Sequence, residues 1–295
     1  MLSIITAAKG RVEQTIESFN SIWDNASNPN EIEHLIAIDC QDHELKSKLH
    51  EYKNIYSSAG INVVLYEVCH CQNTEAYRHR NLHKEYWNPL AKQAKGDLVF
   101  GMPNDCVMQT KNFDKILMES FEEAKKTYKH DCFQILIDDD GENDSNRPEA
   151  IEKVAQTSGW SIGSLELSKE KSLDNSKDGE VFCSWVILSK KAVELIGGIC
   201  PDEFQVHAAD RHVYSIFSKT PIKAQVDLSK DIKTLHMSHY TGRAELDDVT
   251  SSKPVPTPEI TQERLTVEKT LPYHSKVNYE IVRQVFDLDK EIASL

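Results

Sequence analysis

The first 140 residues alternate between short apolar runs and amphipathic stretches, and this alternation most constrains the fold. Leu2 to Ala7 (LSIITA) is apolar and of strand length. Val12, Ile16, Phe19, Trp23 and Ala26 then recur at helical spacing and give one apolar face. Leu35 to Asp39 (LIAID) reads as a second strand. A polar helical stretch leads to a third, Ile61 to Val68 (INVVLYEV). A helix with Leu90, Ala91 and Ala94 on one face stops at Gly96, and Asp97 to Met102 (DLVFGM) forms a fourth strand. Runs that are apolar along their whole length are buried on both faces. Strands alternating with helices in this way predict an α/β fold with a mostly parallel sheet flanked by helices.

The second half has a different rhythm. Cys132 to Asp138 (CFQILID) reads as a strand and is followed by a polar, acidic segment from Asp139 to about Ser158. Val181 to Ser189 (VFCSWVILS) reads as another strand, followed by a short helix to Gly197-Gly198. A helical stretch begins near His207 and carries Val213, Ile216 and Phe217. Thr250 to Glu259 (TSSKPVPTPE) has the composition of an exposed connector. Val277, Ile281, Val282, Val285, Phe286 and Ile292 predict an amphipathic C-terminal helix.

Composition narrows the function. A chain of 295 residues with 39% hydrophobic and 27% charged residues has an ordinary globular balance and can bury a sizeable core. No apolar run reaches membrane-spanning length, and MLSIITAAKGRVEQT lacks the basic start of a signal peptide. The expected location is the cytoplasm, or the host cytoplasm for a viral protein. A net charge of -13 argues against bulk attraction to nucleic acid or anionic lipid, although a local basic patch can still bind phosphate. The seven cysteines are scattered, and Cys69-His70-Cys71 is too close for the usual pair of zinc ligands. They are expected to be reduced thiols.

Ligands of open parallel sheets bind beyond the carboxyl ends of the strands. The residues there are Thr6, Ala7, Ala8, Lys9, Gly10 and Arg11 after the first strand, Asp39 after the second, and Asn104 and Asp105 after the fourth. In one crevice, Lys9 and Arg11 would face phosphates and Asp39 would accept a hydrogen bond from a base or ribose. Asp105 would hold a divalent cation bridging a diphosphate, whose departure as a leaving group develops negative charge. Each residue also has a plainer reading. Asp39 and Asp105 suit turns, Asp210 suits a helix N-cap, and Lys9 and Arg11 suit a solvated surface. His236 and His239 are each a ligand or a structural residue. The Arg78, His79, Arg80, His83 and Lys84 cluster reads as a solvated helix face. Asp138-Asp139-Asp140 resembles a metal motif, but its loop composition suits a turn.

In order along the chain, LSIITAAKGRVEQTIESFNSI, IEHLIAIDCQD, WNPLAKQAKGDLVFGMPNDCV and FCSWVILSKKAVELIGGICPDEFQVHAADRHVYSIF, followed by LHMSHYTGR, resemble the GT-A fold glycosyltransferases. The likeness is to the inverting, family 2-like enzymes of bacteria and phages, and spans roughly residues 2 to 243. It implies a Rossmann-like catalytic domain over 1–245, with a nucleotide-binding half (1–105) and an acceptor-side half (106–245). A linker and C-terminal helical extension would occupy 246–295. It implies a nucleotide-sugar donor, most simply a UDP-sugar, contacted by Thr6, Ala7, Lys9, Arg11, Asp39, Asn88, Asn104 and Trp185. It further implies Mn2+ or Mg2+ held by Asp105 and His236, and Asp210 as general base. The acceptor hydroxyl would belong to a glycan, a lipid or a hydroxylated DNA base. One departure stands out: the family's metal motif is usually Asp-x-Asp, whereas Asn104-Asp105-Cys106 offers a single carboxylate. Two other classes compete. A nucleotidyltransferase would need a Gly-rich loop where only Gly10 stands, and a non-catalytic nucleotide-sugar-binding module would tolerate the lone carboxylate.

Overall fold

The computed structural model describes residues 1–69, 83–138, 183, 185–202, 209–237 and 271–286. Within them the chain runs β1 (Leu2–Ala8), α1 (Val12–Asn25), β2 (Ile32–Asp39), α2 (His43–Ser58), β3 (Asn62–Val68), α3 (Asn88–Gln93), β4 (Leu98–Gly101) and β5 (Cys106–Met108). It continues through α4 (Phe113–Tyr128), β6 (Gln134–Leu136), β7 (Ile187–Ser189), α5 (Lys190–Ile196), α6 (Ala209–Ser218), β8 (Gln225–Asp227), β9 (Thr234–His236) and α7 (Leu271–Phe286).

Seven strands form one sheet in the order β3-β2-β1-β4-β7-β6-β8. The first four are mutually parallel, in register Leu2 with Ile32 and Leu98, and Asp39 with Val68. β7 runs antiparallel to both its neighbours, β4 and β6, and β8 is again parallel to β6. The mixed second half follows from the change of rhythm after residue 130. Among the described residues no helix is long and apolar enough to cross a membrane.

All eight residues of β2 are buried, and they divide by parity, as side chains on a pleated strand must. Ile36 and Ile38 join Ile4, Phe100 and Ile135 on one face, packed under Phe19, Ile22 and Trp23 of α1, Leu45, Leu49 and Tyr52 of α2, and Phe113, Leu117 and Phe121 of α4. Leu35 and Ala37 join Ile5, Val99 and Leu188 on the other face, under Leu90 of α3, Val193 of α5, and Val213, Ile216 and Phe217 of α6. Val277 and Ile281 of α7 enter this second layer, and the Tyr273 hydroxyl donates to the Ile196 carbonyl at 2.8 Å. The expected C-terminal helix is therefore part of the domain's packing. Ile292 lies outside the described residues.

Two features depart from the sequence-based expectation. β7 is three residues long, not nine: of the run before it, Cys183, Trp185 and Val186 are buried without joining the ladder, residues 181–182 and 184 lying outside the described part. The ribbon of β5 with β9 was not foreseen, since three-residue strands carry no readable periodicity.

The Gly197-Gly198 turn closes α5 for two separate steric reasons. Gly197 sits at φ 87, which disfavours any side chain, and a Cβ on Gly198 would lie 2.1 Å from Asn88 Oδ1. The amino end of the sheet is tied by a buried carboxylate. Glu33 is 1% exposed and accepts from the Ser3 hydroxyl and the Lys95 amide, both at 2.5 Å. Buried polar residues at that end serve the fold, and those with chemistry to offer lie at the opposite end.

Candidate functional site

The loop after β1 turns sharply. Gly10 and Arg11 both take left-handed conformations, at φ 58 and φ 51. The Gly10 N–H donates to Asp42 Oδ2 at 2.7 Å, while Asp42 Oδ1 caps α2 by accepting from the Leu45 N–H at 3.2 Å. One carboxylate from the β2–α2 loop thus fixes the β1–α1 loop. Sequence reading gave Asp42 no role; its position before a helix signals a cap, but its second oxygen has no sequence signature. Arg11 occupies the N-cap position of α1 without capping it through its side chain. The first amides of α1 therefore lack a side-chain acceptor from the cap, the arrangement that suits an anion at a helix N-terminus.

Beyond β4, Asn104 Nδ2 donates to Thr15 Oγ1 at 2.8 Å, and Thr15 Oγ1 donates to the Gly10 carbonyl at 3.3 Å. These bonds brace the β4 loop against the start of α1 and bring Asp105 under Arg11. Asp105 is 8% exposed. Arg11 Nη1 donates to its Oδ2 at 2.5 Å, and His236 Nε2 lies 3.6 Å from the same oxygen. The backbone sets that second approach: Cys106 pairs with His236 across the β5–β9 ribbon, and the Met237 N–H donates to the Asp105 carbonyl at 2.7 Å. Trp185 packs edge-on against the His236 ring at 4.8 Å, and its Nε1 donates to Thr234 Oγ1 at 3.1 Å. The Gly101 N–H donates to the Val186 carbonyl, which brings the Trp185 segment to the end of β4. The ribbon that was invisible in the sequence is thus what delivers the expected histidine.

Asp39 ends β2, is buried, and accepts from the Gln41 N–H at 3.0 Å, shaping the turn that leads to Asp42. Ala7, near the end of β1, and Lys9, on the loop after it, are half-buried.

Two expected residues, Thr6 and Asn88, have other work, and Asp138 of the triple-acid segment is held by its backbone. Thr6 is fully buried; its hydroxyl donates to the Met102 carbonyl at 2.8 Å and lies 3.1 Å from His34 Nε2. Asn88 is 1% exposed. Its Nδ2 donates to the Cys200 carbonyl and to Asp202 Oδ1, each at 2.8 Å, and its Oδ1 accepts from the Ile199 N–H at 2.9 Å. The side chain expected to touch a donor instead holds the loop after α5. Asp138 joins the fold through its backbone, accepting from the Thr234 N–H and donating to the Ile232 carbonyl. Asp139, Asp140, His239 and Glu203 lie outside the described residues. Asp210 stands in the first turn of α6. The described contacts join Arg11, Asp105, His236 and Trp185 into one group, to which Asp39 is connected through Asp42 and Gly10; they do not extend to Asp210.

Among the described residues, no three His, Cys, Asp or Glu side chains converge as a metal site. Asp105 Oδ2 and His236 Nε2 remain a pair spaced to share one cation, since ligand bonds near 2.0–2.2 Å leave about this separation between two donors. One carboxylate oxygen and one imidazole nitrogen suit Mn2+ better than Mg2+.

No protein-family profile and no curated protein matches the sequence. Solved structures do match. TarS from S. aureus in complex with UDP aligns over 97% of this chain and 72% of its own, with 15% identity and a TM-score of 0.54. The mannosyltransferase PcManGT from Pyrobaculum calidifontis, in complex with GDP-Man and Mn2+, aligns over 99% of this chain and 79% of its own, with 10% identity and a TM-score of 0.51. A shorter alignment, to TarS with UDP-GlcNAc, spans 47% of this chain and 34% of that one at a TM-score of 0.36 and 19% identity. The likeness at these identities is one of fold: a mostly parallel seven-stranded sheet flanked by helices, as in the GT-A glycosyltransferases.

Proposed function

We propose that this chain, built on the GT-A fold, is a glycosyltransferase that moves a sugar from a nucleotide-sugar, a UDP-sugar by preference, onto an acceptor hydroxyl with the help of a divalent cation. The observation that carries this reading is the meeting of Arg11, Asp105 and His236 beyond the carboxyl ends of β1 and β4, with Asp39 at the end of neighbouring β2. A GT-A neighbour crystallised with GDP-Man and Mn2+, and another with UDP, support the ligand class.

In this reading Asp39 receives the base or ribose, and the α1 N-terminus with Lys9 and Arg11 faces the diphosphate. Asp105 and His236 would hold the cation, which would supply Lewis-acid stabilisation to a departing diphosphate. Trp185 fixes the plane of the His236 ring. Asp210 accepts the proton of the acceptor hydroxyl as its oxygen attacks the anomeric carbon, and the configuration inverts.

The test is Asp210→Asn. Its amide keeps the shape of the carboxylate and its value at a helix start but cannot take a proton. Transfer should fall about 10²- to 10⁴-fold with saturating donor, while nucleotide affinity and thermal stability stay at wild-type values. Wild-type transfer by the variant removes Asp210 from the reaction.

A further inference from the structure

The oxygen that a cation would need at this site is already taken. Arg11 Nη1 lies 2.5 Å from Asp105 Oδ2, with the two side chains only 10% and 12% exposed, and it is this same oxygen that His236 Nε2 approaches at 3.6 Å. A divalent cation bonded to Oδ2 and Nε2 would stand close to the guanidinium, in a place too dry for solvent to screen the repulsion. Cation and guanidinium therefore compete for this oxygen.

The backbone beneath Arg11 is pinned. Asp42 holds the Gly10 N–H, and the Arg11 carbonyl accepts from the Thr15 N–H at 2.8 Å. An exchange at Asp105 is thus a rotation of the Arg11 side chain and not a movement of the loop. An arginine leaving a part-buried carboxylate needs another anion, and its planar fork matches phosphate oxygens as well as carboxylate oxygens.

We propose that Arg11 is a built-in counter-cation. In the ligand-free protein it occupies the metal position on Asp105, and it leaves for the diphosphate only when cation and nucleotide arrive together. This rests on Asp105 being the cation site proposed above. The consequence is thermodynamic coupling: nucleotide strengthens cation binding, and cation strengthens nucleotide binding by the same factor.

The experiment titrates Mn2+ into the full chain, alone and with saturating UDP, following free Mn2+ by electron paramagnetic resonance. Wild type should bind Mn2+ weakly alone and more tightly with UDP. Arg11→Gln should bind Mn2+ alone at least about tenfold more tightly than wild type, which is about 1.4 kcal/mol, and should lose most of the enhancement by UDP. Arg11→Asn should do the same, and asparagine tolerates the left-handed backbone, so a folding defect in one variant is checked by the other. Lys92→Gln, which removes an exposed charge from α3, should leave Mn2+ binding nearly unchanged. A gain as large in Lys92→Gln as in Arg11→Gln would mark a general charge effect and overturn the proposal. So would Arg11 variants no tighter than wild type while Asp105→Asn abolishes Mn2+ binding, an outcome that leaves the cation site standing. Wild-type Mn2+ binding by Asp105→Asn in the presence of UDP removes the cation site itself, and both readings with it.

Discussion

At Asn88 one carboxamide with almost no access to water accepts from two backbone amides, those of Ile199 and Cys200, and donates to a carbonyl and a carboxylate. Asn88→Ala strands the buried Ile199 amide and Cys200 carbonyl, while the exposed Asp202 carboxylate turns to solvent. We expect a loss of about 2–4 kcal/mol, measured by urea denaturation, the sum of a lost network and stranded polar groups. Thr6 belongs with it as a residue that order along the chain places near the ligand but side-chain direction turns into the interior. The sequence does show which loops meet at the carboxyl ends of the strands. It does not show which way a polar side chain points within a loop, because a pleated strand alternates direction at each step and a turn resets the count. Arg11 and Asp105 were legible as residues of one crevice, but not as partners sharing one oxygen, since that depends on Asp42 and Thr15 fixing the loop.

At the scale of elements, α6 and α7 meet through two histidines. His274 Nε2 and His212 Nδ1 are 2.8 Å apart, and the Tyr273 ring lies 5.6 Å from that of His212. Burial holds His212 down to about 3, with the His274 charge adding to the effect. Burial also lowers His274, with Lys219 adding to it. A histidine whose folded pKa lies below its ordinary 6.5 binds protons more readily when unfolded. Its contribution is complete above 6.5 and is lost as pH falls toward 3. The packing of α7 should therefore weaken in acid, seen as faster amide exchange in α6 and α7 and a falling Tm below pH 6.5. The double variant His212→Asn, His274→Gln should flatten part of that fall. His34, which burial also lowers to about 3, and His130, which burial lowers as well, contribute to the remainder. The helices and parallel strands of the first half were legible because full burial leaves a continuous apolar run and a helical stripe. The VFCSWVILS run misled because Cys183, Trp185 and Val186 are buried for other reasons than strand pairing: Trp185 packs against His236, Cys183 shares its core layer, and Val186 joins the opposite one.

For the whole molecule, the net charge of -13 opposes an anionic ligand, so attraction must be local. In the proposed site that attraction comes from Arg11, Lys9 and the α1 N-terminus, which act at short range where salt screens little. UDP at about a hundred times its Kd should stabilise the fold by about 2.7 kcal/mol, and Mn2+ should add to this. In a thermal scan that is a rise of about 5 °C or more; no shift with any nucleoside diphosphate, with or without Mn2+, counts against the nucleotide site. The sheet order carries one more consequence, which concerns synthesis. Strands β1 to β4 leave the ribosome in an order that lets each find a partner already present. β6 does not, because both its neighbours, β7 and β8, come later in the chain. At the usual pace of translation the nascent protein spends several seconds with the outer edge of β4 and the whole of β6 unpaired. Ile187–Ser189 is the keystone: no fragment ending before it can close the sheet, and a nascent chain that stalls there presents two open edges to its surroundings.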